Sequence, residues 1–129
     1  MALTVLDASV LIAWLDPSDA LHAGAAAALR RHVNDDLRIP ASAYSESLVG
    51  PVRRGQLQVA KRALSALLGQ VVDLTAQIAE EAAQLGANHG GLRLPDALVV
   101  ATASVLGADA ILTGDARWSR LAGRVEVVR

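Results

Sequence analysis

The 129-residue chain reads as one three-layer α/β domain, a parallel sheet of about five strands flanked by helices, with residues 1–129 forming a single unit. Three features predict it. Five short apolar runs have strand length and β-branched content. Helical periodicity fills the gaps between successive runs. Hydrophobic residues make up 53% of the chain against 19% charged, enough to bury a core and to exclude disorder. Strands joined by helical crossovers must lie parallel, with both sheet faces covered.

The elements follow in order. Leu3–Leu6 is the first strand, and the run ASVLIAWL after Asp7 is the first helix. Leu21, Ala25, Ala28 and Leu29 lie on one stripe of the next helix. Leu37–Ile39 is the second strand. The segment ASAYSESLVG continues it as a helix that Pro51 should kink or shorten. Leu57, Ala60, Leu64 and Leu67 mark a separate helix beyond Gly55, and Val71–Leu74 is the third strand. Ile78, Ala82 and Leu85 form a further stripe, with Glu80 and Glu81 off that face and Gly90 and Gly91 at its end.

The segment 94–107, LPDALVVATASVLG, is ambiguous by periodicity. Its length, its Pro95-Asp96 start and its alanines favour a helix buried on most sides, stopping at Gly107. Ala110–Leu112 and Val125–Val128 are the last strands, with DARWSRLAG a helix between them.

Composition removes several function classes. There is no cysteine, so disulfides, zinc–thiolate sites and thiol catalysis are excluded. Phe is absent, and Trp14, Tyr44 and Trp118 are the only aromatics, too few for a stacking platform for nucleic-acid bases. No apolar run approaches the about 18 residues of a membrane span, and Asp7 breaks the only candidate signal core. A cytoplasmic protein that does not enter the membrane is expected. Lys61 is the only lysine, which counts against any mechanism needing a dedicated catalytic lysine.

The acids are the informative residues. In an open parallel sheet, ligands collect at the carboxyl ends of the strands where the winding direction reverses. Asp7 directly follows the first strand, and Asp115 follows the fourth after Thr113 and Gly114. If those strands are neighbours, the two carboxylates converge. Asp96 opens the buried helix leading into the fourth strand, and Glu46 lies in the helix after the second. Each has an ordinary structural explanation: Asp7 and Asp115 as helix N-caps, Asp96 as a first-turn acid, Glu46 as a solvated residue facing away from Tyr44 and Leu48.

Taken together, LTVLDASVLIAWL, ASAYSES, LPDALVVATA and ILTGDARW, running from Leu3 to Trp118, resemble the PIN-domain nucleases, specifically the VapC-type toxins of toxin–antitoxin pairs. The resemblance implies a PIN-like fold in which Asp7, Glu46, Asp96 and Asp115 bind Mg²⁺, with Mn²⁺ as a substitute. Ser9 and Thr113 match small hydroxyl residues that orient the carboxylates or metal-bound water. The implied activity is a metal-dependent endoribonuclease, cleaving RNA phosphodiester bonds by metal-activated water and leaving a 5′-phosphate and a 3′-hydroxyl. The implied partners are a cognate VapB-type antitoxin and a second copy in a homodimer.

The chemistry suits those residues. Phosphodiester hydrolysis needs a deprotonated water and charge neutralisation, and hard cations with carboxylate ligands supply both. Four converging carboxylates repel one another and call for protons or a cation. Setting them aside leaves twelve cations against nine anions, a net charge of +3 on the rest of the molecule, in place of −1 overall. Arg53, Arg54, Arg93, Arg117 and Arg120 lie near the motifs and could hold RNA phosphates or be ordinary surface arginines. Trp118 is placed either to stack a base at the pocket rim or to serve the core. Trp14 reads as core. His22, His32 and His89 show no ligand spacing and read as helix-surface residues.

Two other phosphate enzymes fail on residues: a dehalogenase-type phosphatase wants Asp at position 9, which is Ser, and a receiver domain wants a lysine late in the chain. The competing reading is a non-catalytic α/β interaction module whose acids only cap helices.

Overall fold

The computed structural model describes residues 1–121 and 124–129. Five strands form one sheet: β1 (Leu3–Leu6), β2 (Asp36–Pro40), β3 (Gln70–Val72), β4 (Ala110–Thr113) and β5 (Val125–Val127). All pairings are parallel, in the order β3-β2-β1-β4-β5. Six α-helices supply the crossovers: α1 (Ala8–Leu15), α2 (His22–Arg31), α3 (Ala41–Arg53), α4 (Leu57–Ala66), α5 (Ala76–Asn88) and α6 (Leu94–Leu106). The chain winds outward from β1 to β3, then returns to place β4 on the other side of β1. With right-handed crossovers, that reversal puts α1–α4 and α5–α6 on opposite faces. The three-layer reading therefore holds.

The main core is aliphatic, built on Val5, Leu6, Leu11, Ile39, Ile111 and Leu112. A smaller cluster of Ile78, Ala82, Ala97 and Ala101 closes α5 onto α6. Alanine at these contacts lets two helices approach closely. Helix α6 is buried at Ala97, Val99, Val100, Ala101, Thr102 and Ala103, as its apolar sequence requires. It ends on Gly107 at φ 65°, a left-handed cap that suits glycine. Gly55, at φ 67°, turns the chain between α3 and α4.

Several boundaries differ from expectation. β3 ends at Val72 rather than Leu74, because Thr75 caps α5 by accepting the Ile78 amide. Pro51 does not stop α3, which runs two residues further to Arg53. The segment after Asp115 is a short 3₁₀ helix, Ala116–Arg120, and not an α-helix. The end of that expected helix, 122–123, lies outside the described residues.

Trp118 is 2% exposed and packs in the main core, so its ring is not available to stack a base. Trp14 is partly buried against the same core. His32 is not a free surface residue. It caps the C-terminus of α2, with Nδ1 2.6 Å from Asp35 and Nε2 2.8 Å from Glu126 of β5. His22 pairs its Nδ1 with the Ala13 carbonyl at 2.8 Å, and His89 caps the end of α5, exposed.

Candidate active site

The winding reversal lies between β1 and β4, and their carboxyl ends carry the first and last acids. The Asp7 amide donates to the Leu112 carbonyl at 3.0 Å, joining the two strand exits. Asp7 occupies the N-cap position of α1, yet its side chain makes no capping bond. One carboxylate oxygen, Oδ2, instead accepts from the Ser9 hydroxyl at 2.6 Å and the Thr113 hydroxyl at 2.9 Å. Those hydroxyls are themselves held. Ser9 Oγ accepts the Gly114 amide at 2.9 Å, and Thr113 Oγ1 accepts the Asp115 amide at 3.1 Å.

Asp7 is 7% exposed, and Thr113 is fully buried. Burial raises the Asp7 carboxyl above the ordinary carboxylate range. The two hydroxyls oppose that rise, and the negative charge of Asp96 adds to it. Glu46 lies on the exposed side of α3. Its proton affinity is raised as well, first by partial desolvation and then by the charges of Asp7 and Asp96. Asp96 sits in the first turn of α6, with Arg93 Nε 3.4 Å from Oδ2. Asp7, Glu46 and Asp96, from one strand exit and two helices, are thus brought into a single electrostatic cluster.

Asp115 stands differently. It caps the 3₁₀ helix by accepting the Arg117 amide at 2.9 Å. The Arg117 guanidinium grips both of its oxygens, with Nε 2.9 Å from Oδ1 and Nη2 2.6 Å from Oδ2. That pair holds the carboxyl below its usual range. Asp115 adjoins the cluster through the Thr113 hydroxyl, with its charge already countered. Among the described residues, no three His, Asp or Glu side chains stand close enough to hold one metal ion together.

Two features escaped sequence reasoning. Arg93 and Arg117 stand among candidate phosphate ligands, but in the fold they pair with Asp96 and Asp115. Their spacing, three before one acid and two after the other, was the available signal. Gly114 is the second: a Cβ there would come within 2.7 Å of Leu21 Cδ1 and 3.4 Å of Ser9 Oγ. A side chain there would press on the end of Leu21 while its contact with Ser9 stayed ordinary, so glycine makes room beside Leu21. Arg53, Arg54 and Arg120 are exposed.

The donor set suits a hard divalent cation. It offers only oxygen, it contains crowded carboxylates with raised proton affinity, and one of them is pre-oriented by two hydroxyls.

Comparison with known proteins agrees with the architecture. A toxin–antitoxin complex from Klebsiella pneumoniae matches at TM-score 0.80 and 26% identity, over 98% of this chain and 97% of that one. VapC20 from Mycobacterium tuberculosis, a sarcin–ricin loop cleaving toxin, matches at TM-score 0.75 and 21% identity, covering 98% and 99%. VapBC2 from Rickettsia felis, bound to a DNA fragment from its promoter, matches at 0.76 and 15%, covering 98% and 99%. At those lower identities the last two speak for the fold alone. No curated protein matches the sequence. The PIN domain model matches residues 4–124, which takes in the exits of β1 to β4 and all four acids just described, and on that match the chain belongs to the PIN domain family.

Proposed function

We propose that this PIN domain is a metal-dependent endoribonuclease and the toxin of a toxin–antitoxin pair. The observation that carries the reading is the gathering of Asp7, Glu46 and Asp96 at the β1/β4 reversal, with two of the three pushed above their ordinary carboxylate range. Burial is the first cause of both rises, and the neighbouring carboxylate charges add to it. A bound cation offsets both.

Mg²⁺, or Mn²⁺ in its place, would be held by Asp7, Glu46 and Asp96 once their side chains draw in to ligand distance, which no three acids among the described residues have. Asp115 comes to the set only by giving up its Arg117 pair. The bound cation supplies charge neutralisation at the phosphate and lowers the pKa of water at neutral pH. The chain's own residues supply the frame. Ser9 and Thr113 donate to Asp7 Oδ2 and fix its orientation, and the Gly114 and Asp115 amides fix the two hydroxyls in turn. A carboxylate locked in this way loses little freedom on binding, which is the condition for a preorganised site.

An antitoxin partner is supported by the Klebsiella toxin–antitoxin complex. Exposed apolar side chains Val49 and Val52 on α3 and Val59 on α4 support a protein contact, either to that partner or to a second copy. No helix among the described residues is long and apolar enough to cross a membrane.

The test is calorimetric titration of Mn²⁺ into wild type and a folded Asp96→Ala variant, paired with cleavage of an RNA pool. Wild type should bind and cut, leaving 5′-phosphate and 3′-hydroxyl ends. Asp96→Ala and Asp7→Ala should fold and do neither. Cleavage retained by either folded variant rules the mechanism out. A wild type that takes up no Mn²⁺ points to the non-catalytic interaction module.

A further inference from the structure

Beside the acid cluster lies a half-open cavity of about 440 Å³ between the 89–92 turn and the 3₁₀ helix. Its walls carry polar and charged side chains. His89 stands on one side and Arg117 and Arg120 on the other, with Asp96 at the margin shared with the acid cluster. Gly90 and Gly91 form part of the wall, and a Cβ on either would meet nothing within 4 Å. The floor includes Trp118, whose ring is almost wholly covered by the core.

We infer that this cavity is the subsite for the RNA nucleotide flanking the scissile phosphate, with Arg120 and Arg117 on that nucleotide's phosphate and the Gly90-Gly91 turn leaving room for its sugar. The inference deepens the nuclease reading and rests on it.

Three observations support the assignment. The volume lies within the about 300–1,000 Å³ of sites that take a small-molecule-sized group. The cavity shares Asp96 with the acid cluster, so the two sites adjoin. Arg117 and Arg120 line this cavity and Asp7 and Glu46 do not, so a phosphate seated here meets arginines while one at the acid cluster meets carboxylates. Arg120 has no ion-pair partner among the described residues, whereas Arg117 has Asp115. Arg120 is therefore the cation free to accept phosphate at once. Recognition here runs through phosphate and sugar, because the covered Trp118 ring offers no face for stacking. Such contacts set register rather than sequence.

The test uses a fluorescein-labelled single-stranded RNA pentamer, fully 2′-O-methylated so that it cannot be cut, with binding followed by anisotropy in EDTA. Arg120→Gln should weaken binding several-fold near 50 mM salt and flatten the salt dependence by about 0.7 in slope, the loss of one phosphate contact to a single strand. Gly91→Trp, which fills the cavity, should weaken it at least as much. Arg62→Gln, on α4, is the control and should bind like wild type. Binding unchanged in Arg120→Gln, or lowered equally by Arg62→Gln, overturns the assignment. So does a wild type that fails to bind the pentamer. Melting temperatures establish that each variant is folded, so if Gly91→Trp does not fold, Arg120→Gln decides. Mn²⁺-dependent cleavage by wild type is scored separately: cleavage with no Arg120 effect removes the subsite and leaves the nuclease reading standing.

Discussion

Thr113→Val tests the frame of the site most directly. Valine keeps the shape of threonine and deletes one hydroxyl. Thr113 is fully buried, and its Oγ1 does two things at once: it donates to Asp7 Oδ2 at 2.9 Å and accepts the Asp115 amide at 3.1 Å. A hydrogen bond to a charged group contributes about 1.5–3 kcal/mol, and stranding a partly buried amide costs about 1 kcal/mol or more. The sum, roughly 2–4 kcal/mol, is a large share of a total stability of about 5–15 kcal/mol. At about 3–5 °C per kcal/mol for a domain of this size, the melting temperature should fall by roughly 10 °C.

Thr113→Ser keeps the hydroxyl and loses one methyl group, so it should cost only about 1 kcal/mol. Urea unfolding of the three proteins measures both. The same substitution in an Asp7→Asn background should cost less, because the charged acceptor is gone, and the double-mutant cycle reads that coupling directly. Function should follow stability. With one of its two hydroxyl donors removed, Asp7 holds its proton to higher pH, so the pH at which Mn²⁺ binding is half lost should rise. If Thr113→Val is as stable as Thr113→Ser, or if its cost is unchanged in Asp7→Asn, the hydroxyl does not hold the carboxylate and the account of the site is wrong.

Three further outcomes are expected. Because Asp7 has a raised carboxyl pKa in the folded state, the folded protein keeps a proton that the unfolded chain has released, and stability falls as pH rises from the ordinary carboxylate range through the raised value. In EDTA, Asp7→Asn should therefore melt above wild type at pH 7, converge with it near pH 3, and lack RNA cleavage; a lower melting point at pH 7 contradicts this. Burial alone would lower the pKa of His32, but Asp35 and Glu126 hold it above the ordinary imidazole value. The stability it contributes is complete below about pH 6.5 and is lost as pH climbs through the raised value. His32→Gln should flatten the stability profile across that window, and an unchanged slope would dismiss the His32 cluster as its source. Leu68 sits at φ 56° with an 86% exposed side chain, so Leu68→Gly should relieve backbone strain and stabilise the fold by about 0.5–1 kcal/mol in urea unfolding. A destabilised variant would show that Leu68 makes contacts that outweigh its backbone strain.

Local chemistry made most of the architecture legible in the sequence. Strand-length apolar runs, helical stripes and Gly107 as a stop signal depend on residues close together in the chain, and they predicted the parallel sheet and a deeply buried α6. The acids could be located as well, since Asp7 and Asp115 end strands by their position in sequence alone. Boundaries were less legible: Thr75 captured the Ile78 amide and shortened β3, and the segment after Asp115 formed a 3₁₀ turn in place of an α-helix. What only the tertiary structure decided was which groups meet. The strand order placed β4 beside β1, so that Thr113 and Ser9 share one oxygen of Asp7 across more than a hundred residues of chain. It drew Trp118 into the core and away from any base. It paired Arg117 with Asp115 and left Arg120 facing the adjoining cavity. Such choices rest on burial and on distances between residues remote in sequence, and neither exists until the sheet has closed.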